Sequence, residues 1–230
     1  MLSADRATAF AAYDHAMSDD AIRAVLFDFG GVILTSPFEA FAHYEREQGL
    51  PEGFIRRVNA TNPLDNAWAR LERGELDRAG FAEQFGAEAR ALGGTLSGER
   101  VLELLAGDIR PEMVTALERC REAELRTACL TNNISGGDAA PADRAAELAR
   151  IMLLFDVVVE SSVVGVRKPE PEFYEIACRL LEVEPADCVF LDDLGVNLKP
   201  ARAMGMTTIK VEEPGAALAE LERVLGLALT

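Results

Sequence analysis

No apolar run in the 230 residues is long enough to span a bilayer. The opening stretch, MLSADRATAFAAYDHAMSDD, lacks a basic start followed by an uninterrupted apolar core, so it does not read as a secretion signal. Both absences predict a soluble, cytoplasmic protein with no membrane partner. Residues 1–22 read as an N-terminal extension, and the part before Met17 is open to a second reading as an over-called start. Basic residues are few: Lys and Arg total 23 against 39 Asp and Glu, a formal charge of -16. So acidic a surface repels nucleic-acid backbones and anionic lipid, so no nucleic-acid partner is expected. A phosphorylated ligand would have to be attracted locally, by a metal ion and a few placed cations. The four cysteines, Cys120, Cys129, Cys178 and Cys188, include no C-x-x-C pair and sit in apolar patterns, as buried free thiols do. There is no G-x-S-x-G and no P-loop, which leaves serine-hydrolase and nucleoside-triphosphatase readings without support. Internal repeats and low-complexity tracts are absent too.

What is present is a globular composition, 49% hydrophobic and 27% charged, long enough for one domain with a small insertion. Ala24 to Phe27 is a short apolar run ending at Asp28 and Gly30-Gly31, as expected of a strand covered on both faces. From Pro37 to Gly107 the spacing turns helical, with Phe38, Phe41 and Tyr44, then Trp68 and Leu71, then Phe81 and Phe85. That stretch predicts a small helical bundle inserted in the chain, whose aromatics Trp68, Phe81 and Phe85 form its own core. After Pro111 strands and helices alternate. Helices are expected over Pro111–Glu122, Pro141–Met152 and Pro171–Leu181, then up to Met204, and over Ala216–Leu225. Strands are expected over Leu125–Leu130, Phe155–Val159, Cys188–Leu191 and Met206–Val211. Such alternation implies right-handed crossovers and a parallel α/β sheet.

The polar residues of interest lie just past strand ends: Asp28 after the first, Thr131 and Asn132 after the second, Asp192 and Asp193 after the fourth. In open α/β sheets ligands bind along that edge. Taken singly, each has a bland explanation, as a turn residue or a helix N-cap. Their shared position argues for a common site. Convergence of Asp28, Thr131 and Asp192 would place the first strand at the centre of a five-stranded sheet, between the second and the fourth.

DFGGV at Asp28, TNN at Thr131, GVRKPEPEFY around Lys168 and FLDDLGVNLKPARAMGM around Asp192 resemble the four motifs of the haloacid dehalogenase superfamily. The resemblance runs from about Arg23 through TIKVEEP. Within the superfamily it is strongest to the N-terminal phosphatase domain of soluble epoxide hydrolase and the phosphatase-like domain in front of acyl-CoA dehydrogenase family member ten. It implies a Rossmann-like doubly wound core, residues 23–36 and 108–230, with a helical cap, residues 37–107. The implied activity is Mg²⁺-dependent hydrolysis of a small phosphorylated metabolite. Asp28 would be the nucleophile, forming an aspartyl-phosphate. The metal ligands implied are Asp28, the Gly30 carbonyl and Asp193, with Asp192 a further ligand or an orienting neighbour. Thr131 and the Asn132 amide would bind phosphoryl oxygens. Lys168 would neutralise the phosphate and hold Asp28 ionised, whereas Arg167 is expected to be solvated or structural.

The sequence departs from the family pattern at one position. Phosphatases of the superfamily usually carry a second Asp two residues after the nucleophile, as general acid, and Gly30 stands there. Two further readings therefore stay open. One is a metal-independent dehalogenase, in which Asp28 attacks carbon, against which Asp192-Asp193 argues. The other is a phosphate-binding module that has lost turnover.

Overall fold

The computed structural model describes residues 21–132 and 142–229. Asn133, Pro141 and most of the N-terminal extension lie outside them. Strand β1 is Ala24–Phe27, all four residues buried. Its side chains alternate between two cores, as the two-residue strand period requires. Val25 and Phe27 enter one apolar cluster, and Ala24 and Leu26 enter the other.

Helices α1 (Phe38–Glu47), α2 (Phe54–Ala60), α3 (Ala67–Glu72), α4 (Arg78–Ala91) and α5 (Gly98–Glu103) follow. Polar side chains open three of them: Asn66, Asp77 and Ser97 each accept the main-chain N–H three residues on. Their apolar faces close on a separate core that includes Phe41, Phe54, Phe81 and Phe85. The chain enters and leaves this helical insertion at one place. Leu34 and Ile109 form an antiparallel bridge, and the Thr35 N–H donates to the Asp108 carbonyl at 2.8 Å.

Past the insertion come α6 (Pro111–Glu122), β2 (Arg126–Thr131), α7 (Ala142–Met152), β3 (Val157–Glu160), α8 (Ser161–Val164) and α9 (Pro171–Leu181). The chain ends with β4 (Cys188–Asp192), α10 (Gly195–Ala203), β5 (Thr207–Lys210) and α11 (Pro214–Leu225). Pro111 and Pro171 open α6 and α9, where a missing N–H costs nothing. The five strands are parallel in the order β3-β2-β1-β4-β5, so β1 is central with β2 and β4 beside it, as expected. Helices cover both faces, α6 and α11 on the Val25 side, α9 and α10 on the Ala24 side. The third strand begins later than expected, at Val157. Phe155 instead turns into the core against Phe27, ring centres 6.1 Å apart, and the Asp156 carboxylate accepts the Thr127 N–H. All four cysteines are reduced and buried. Among the described residues no helix is long and apolar enough to cross a membrane.

Candidate active site

The C-terminal ends of β1, β2 and β4 meet at a cavity of about 370 Å³. Asp28, Thr131, Lys168 and Asp193 supply its polar floor. Leu34, Phe38, Phe41, Trp68 and Leu105 form an apolar wall. Phe81 and Phe85 are fully buried in the insertion, ring centres 5.2 Å apart, as expected. Trp68 departs from that expectation: it packs edge-on against Phe81, yet also lines the cavity.

Asp28 ends the central strand, where its N–H still donates to the Leu191 carbonyl of β4. Its Oδ1 accepts the Phe29 N–H at 2.6 Å and the Lys168 ammonium at 2.8 Å. The chain then turns through Phe29–Ile33, and Gly31 takes φ 82°. A Cβ on Gly31 would sit 2.3 Å from the Asp193 carboxyl carbon, so glycine is required both by conformation and by close approach. Gly30 is different. Its φ of -72° and ψ of 130° suit any residue, and a Cβ there would meet nothing within 4 Å. Gly31→Ala should therefore destabilise the fold by at least the roughly 1–2 kcal/mol of a left-handed alanine. Gly30→Ala should stay within about 0.5 kcal/mol of the wild type. Urea denaturation of both variants checks this pair, and equal stabilities would contradict the geometry of the turn.

Lys168 is 1% exposed and not the surface lysine that its place before a turn could suggest. Its Nζ bridges Asp28 Oδ1 and Asp192 Oδ2, both at 2.8 Å. Asn132 holds its main chain at two points: Oδ1 accepts the Lys168 N–H at 2.9 Å, and Nδ2 donates to the Lys168 carbonyl at 3.0 Å. Asp192 is fully buried and heavily engaged. Lys168 Nζ and Asn197 Nδ2 donate to Oδ2, and Asn197 Nδ2 and the Leu194 N–H donate to Oδ1. Asp193 is less committed, with Ser36 Oγ donating to Oδ2 at 3.2 Å. Oxygens of Asp28, Asp192 and Asp193 lie within 4.8 Å of one another.

Three carboxylates thus face one ammonium. Burial pushes the Asp28 carboxyl well above its ordinary range, opposed by the Lys168 charge and reinforced by Asp192. Burial and then the Asp192 charge raise Asp193 to about 6. Burial pulls Lys168 down, but the charges of Asp192 and Asp28 outweigh it and hold the ammonium form.

Three contributors escape a reading by strand ends. Asn197 sits in the first turn of α10, inside the LDDLGVNLKPAR segment, and its carbonyl accepts the Tyr174 hydroxyl at 2.7 Å. Ser36 reaches Asp193 from the entry to the insertion. Glu72 reaches the site from α3, and no local pattern marks it. Arg167 proves structural: its guanidinium pairs with Glu72.

The chain has relatives in sequence and in fold. Residues 22–205 match the haloacid dehalogenase-like hydrolase family. Acyl-CoA dehydrogenase family member 10 of Mus musculus is 36% identical over 220 residues, 90% of this chain and 19% of that protein. Bifunctional epoxide hydrolase 2 of Sus scrofa is 33% identical over 221 residues, 91% of this chain and 40% of that protein. This chain thus spans well under half the length of either. Among solved structures, a haloacid dehalogenase family enzyme of Bacteroides thetaiotaomicron, in complex with magnesium and inorganic phosphate, superimposes with a TM-score of 0.54 at 19% identity. That match covers 83% of this chain and 94% of that one. With a family match over most of its length and strand ends that gather the four motif segments, the chain belongs to the haloacid dehalogenase-like hydrolases.

Proposed function

We propose that this hydrolase is a Mg²⁺-dependent phosphatase of a small phosphorylated metabolite, working through an aspartyl-phosphate on Asp28. The observation that carries the reading is the charge imbalance at the strand ends, three carboxylates around one ammonium, which a divalent cation would correct. The donor set fits a hard ion, since it is made of carboxylate oxygens. Asp193, with one hydroxyl partner, retains acceptor capacity for it. Asp28 and the Gly30 carbonyl complete the proposed set. Asp192, both oxygens already bonded, fits better as the residue that orients Lys168. Magnesium, when bound, would neutralise charge on the phosphoryl group.

The chain's own residues account for the rest. Oδ1 of Asp28 is held by Phe29 and Lys168, which leaves Oδ2 to attack. A new P–O bond forms as the bond to the leaving oxygen breaks. Gly30 has no proton to give, so the leaving oxygen must take one from water. Water then attacks phosphorus, releases inorganic phosphate and restores Asp28. Thr131 would donate its hydroxyl to a phosphoryl oxygen. Asn132 is expected to do the same through its amide; its contacts with the Lys168 main chain and with Glu72 support a role in holding Lys168 as well. In this reading residues 37–107 act as the cap that excludes water, and residues 23–36 with 108–230 as the core. The apolar wall suits a phosphate ester with an apolar body.

The experiment is a panel of phosphate esters assayed with Mg²⁺ and with excess chelator. Turnover should require the cation, and full activity in chelator would overturn the proposal. Asp193→Asn should weaken cation binding while the protein stays folded. It should also change the pH dependence of stability in chelator. A carboxyl raised to about 6 stabilises the fold fully below its unfolded value of about 4, and that contribution is lost as pH rises through 6. The wild type should therefore lose stability relative to Asp193→Asn between about pH 4 and 6. Denaturation curves of the two proteins without metal, measured across that window, check the difference.

A further inference from the structure

Glu72 is a buried carboxylate on the insertion, 5% exposed, and it lines the cavity. One partner is local: the Trp68 indole N–H donates to Oε1 at 2.8 Å. Two others come from the α/β core. Asn132 Nδ2 donates to Oε2 at 3.3 Å, and the Arg167 guanidinium pairs with the same oxygen. Arg167 also donates from Nη1 to the Pro63 carbonyl, a second contact with the insertion. These two core partners are not arbitrary. Arg167 precedes Lys168 in the chain, and Asn132 grips both the N–H and the carbonyl of Lys168. Lys168 in turn touches Asp28 and Asp192. An unbroken series of direct contacts thus runs from the Trp68 indole on the cavity wall to the carboxylate at the end of β1.

We propose that Glu72 is a positioning residue, which fixes Lys168 against Asp28 only while the helical insertion is docked over the site. The physical reason is the number of anchors. With Glu72 in place, Asn132 and Arg167 are each held from the insertion side, and the lysine main chain between them has little freedom. With Glu72 withdrawn, Asn132 loses an acceptor and Arg167 loses its carboxylate. A largely enclosed guanidinium, its side chain 15% exposed, is costly to leave without its partner, and the segment would rearrange to solvate it. A misplacement of about 1 Å at a charge-bearing group can cost on the order of 10²-fold in rate. The placement of the charge on Lys168 then depends on a closed roof, so chemistry is linked to enclosure of the substrate.

The inference rests on the phosphatase reading, and the experiment separates the two. With p-nitrophenyl phosphate and Mg²⁺, Glu72→Ala should lower kcat by about 10- to 100-fold with KM changed less than about threefold. Asn132→Ala should do the same. The double variant should be no worse than the poorer single variant, since both act through Lys168. If Glu72→Ala does not fold, Glu72→Gln takes its place in the cycle. A kcat within twofold of wild type, even with a lower melting temperature, would reduce Glu72 to a structural ion pair and overturn the proposal. Multiplying rate losses in the double variant would overturn it too, because the two residues would then act independently. A wild type that turns over no ester would defeat the phosphatase reading alone. In that case the Lys168 ammonium signal in nitrogen-15 NMR decides: the proposal requires it to be slowly exchanging in the wild type and lost in the Glu72 variant. An unchanged signal would sink it.

Discussion

Gly30→Asp is expected to raise turnover of alkyl phosphates by about 10²–10⁴-fold, the usual worth of a positioned general acid. Aryl and acyl phosphates should gain far less. Their leaving oxygens are stable as anions, whereas an alkoxide must be protonated as it departs. The structure makes the substitution feasible. Gly30 has ordinary extended dihedral angles, lines the cavity, and has open space where a side chain would begin. The new carboxyl would stand close to three existing carboxylates, whose charge would favour its protonated form. The wild type should show a steep dependence on leaving-group acidity and should accumulate the aspartyl-phosphate, because water attack lacks a base. A series of esters graded by leaving-group pKa, run on both proteins, measures this. Equal wild-type rates across the series, with chemistry rate-limiting, would mean that another residue supplies the proton.

Lys168→Met should be the most damaging single change to the fold among the site residues, and it should also abolish most activity. The ammonium is buried between Asp28 and Asp192, and methionine fills a similar volume without charge. Two carboxylates would be left facing each other with only dipoles for compensation. Breaking a buried pair in this way typically costs about 3–5 kcal/mol. For a chain of this size that corresponds to roughly 6–20 °C in melting temperature. Turnover should fall by about 10²–10³-fold or more, since a preorganised charge at the reacting group is lost. Part of the stability should return on acidification, as Asp28, whose carboxyl burial already pushes up, takes up a proton. A variant as stable as the wild type at pH 7 would show that the bridge contributes nothing net to the fold.

Much of the α/β core is legible in the sequence itself. Short apolar runs ending in Asp28, Thr131 and Asp192 mark strands covered on both faces, and that local pattern survives folding unchanged. Proline at the start of α6 and α9 fixed two helix boundaries for a stereochemical reason. Strand β3 begins two residues later than the apolar pattern predicts, because Phe155 is as apolar in the core as it would be in a strand. The candidate site was legible where it rides on strand ends and, through the motif resemblance, at Lys168, but not on the helical insertion. Glu72 and Asn132 lie 60 residues apart, and their meeting depends on how the insertion docks. The burial of Lys168 was equally hidden, since the KPEP context looks like a surface turn until Asn132 and Glu72 enclose it. Trp68 has two faces, one toward Phe81 and one toward the cavity, and hydrophobic spacing reports only the first.

The central place of β1 also sets an order of events during synthesis. Of the five strands this one is made first, and its neighbours follow late: Arg23 and Asp187, which hydrogen-bond at the feet of β1 and β4, are 164 residues apart. At a translation rate of about 5–20 residues per second, β1 waits on the order of 10–30 s for β4. Meanwhile the insertion, whose core is drawn from Phe41 to Leu102, can fold from contiguous chain. A nascent chain of this protein would therefore carry a finished helical bundle beside an unpaired, fully apolar strand. Chaperone contact during elongation should map to residues 24–27 and should fall away once β4 has left the ribosome.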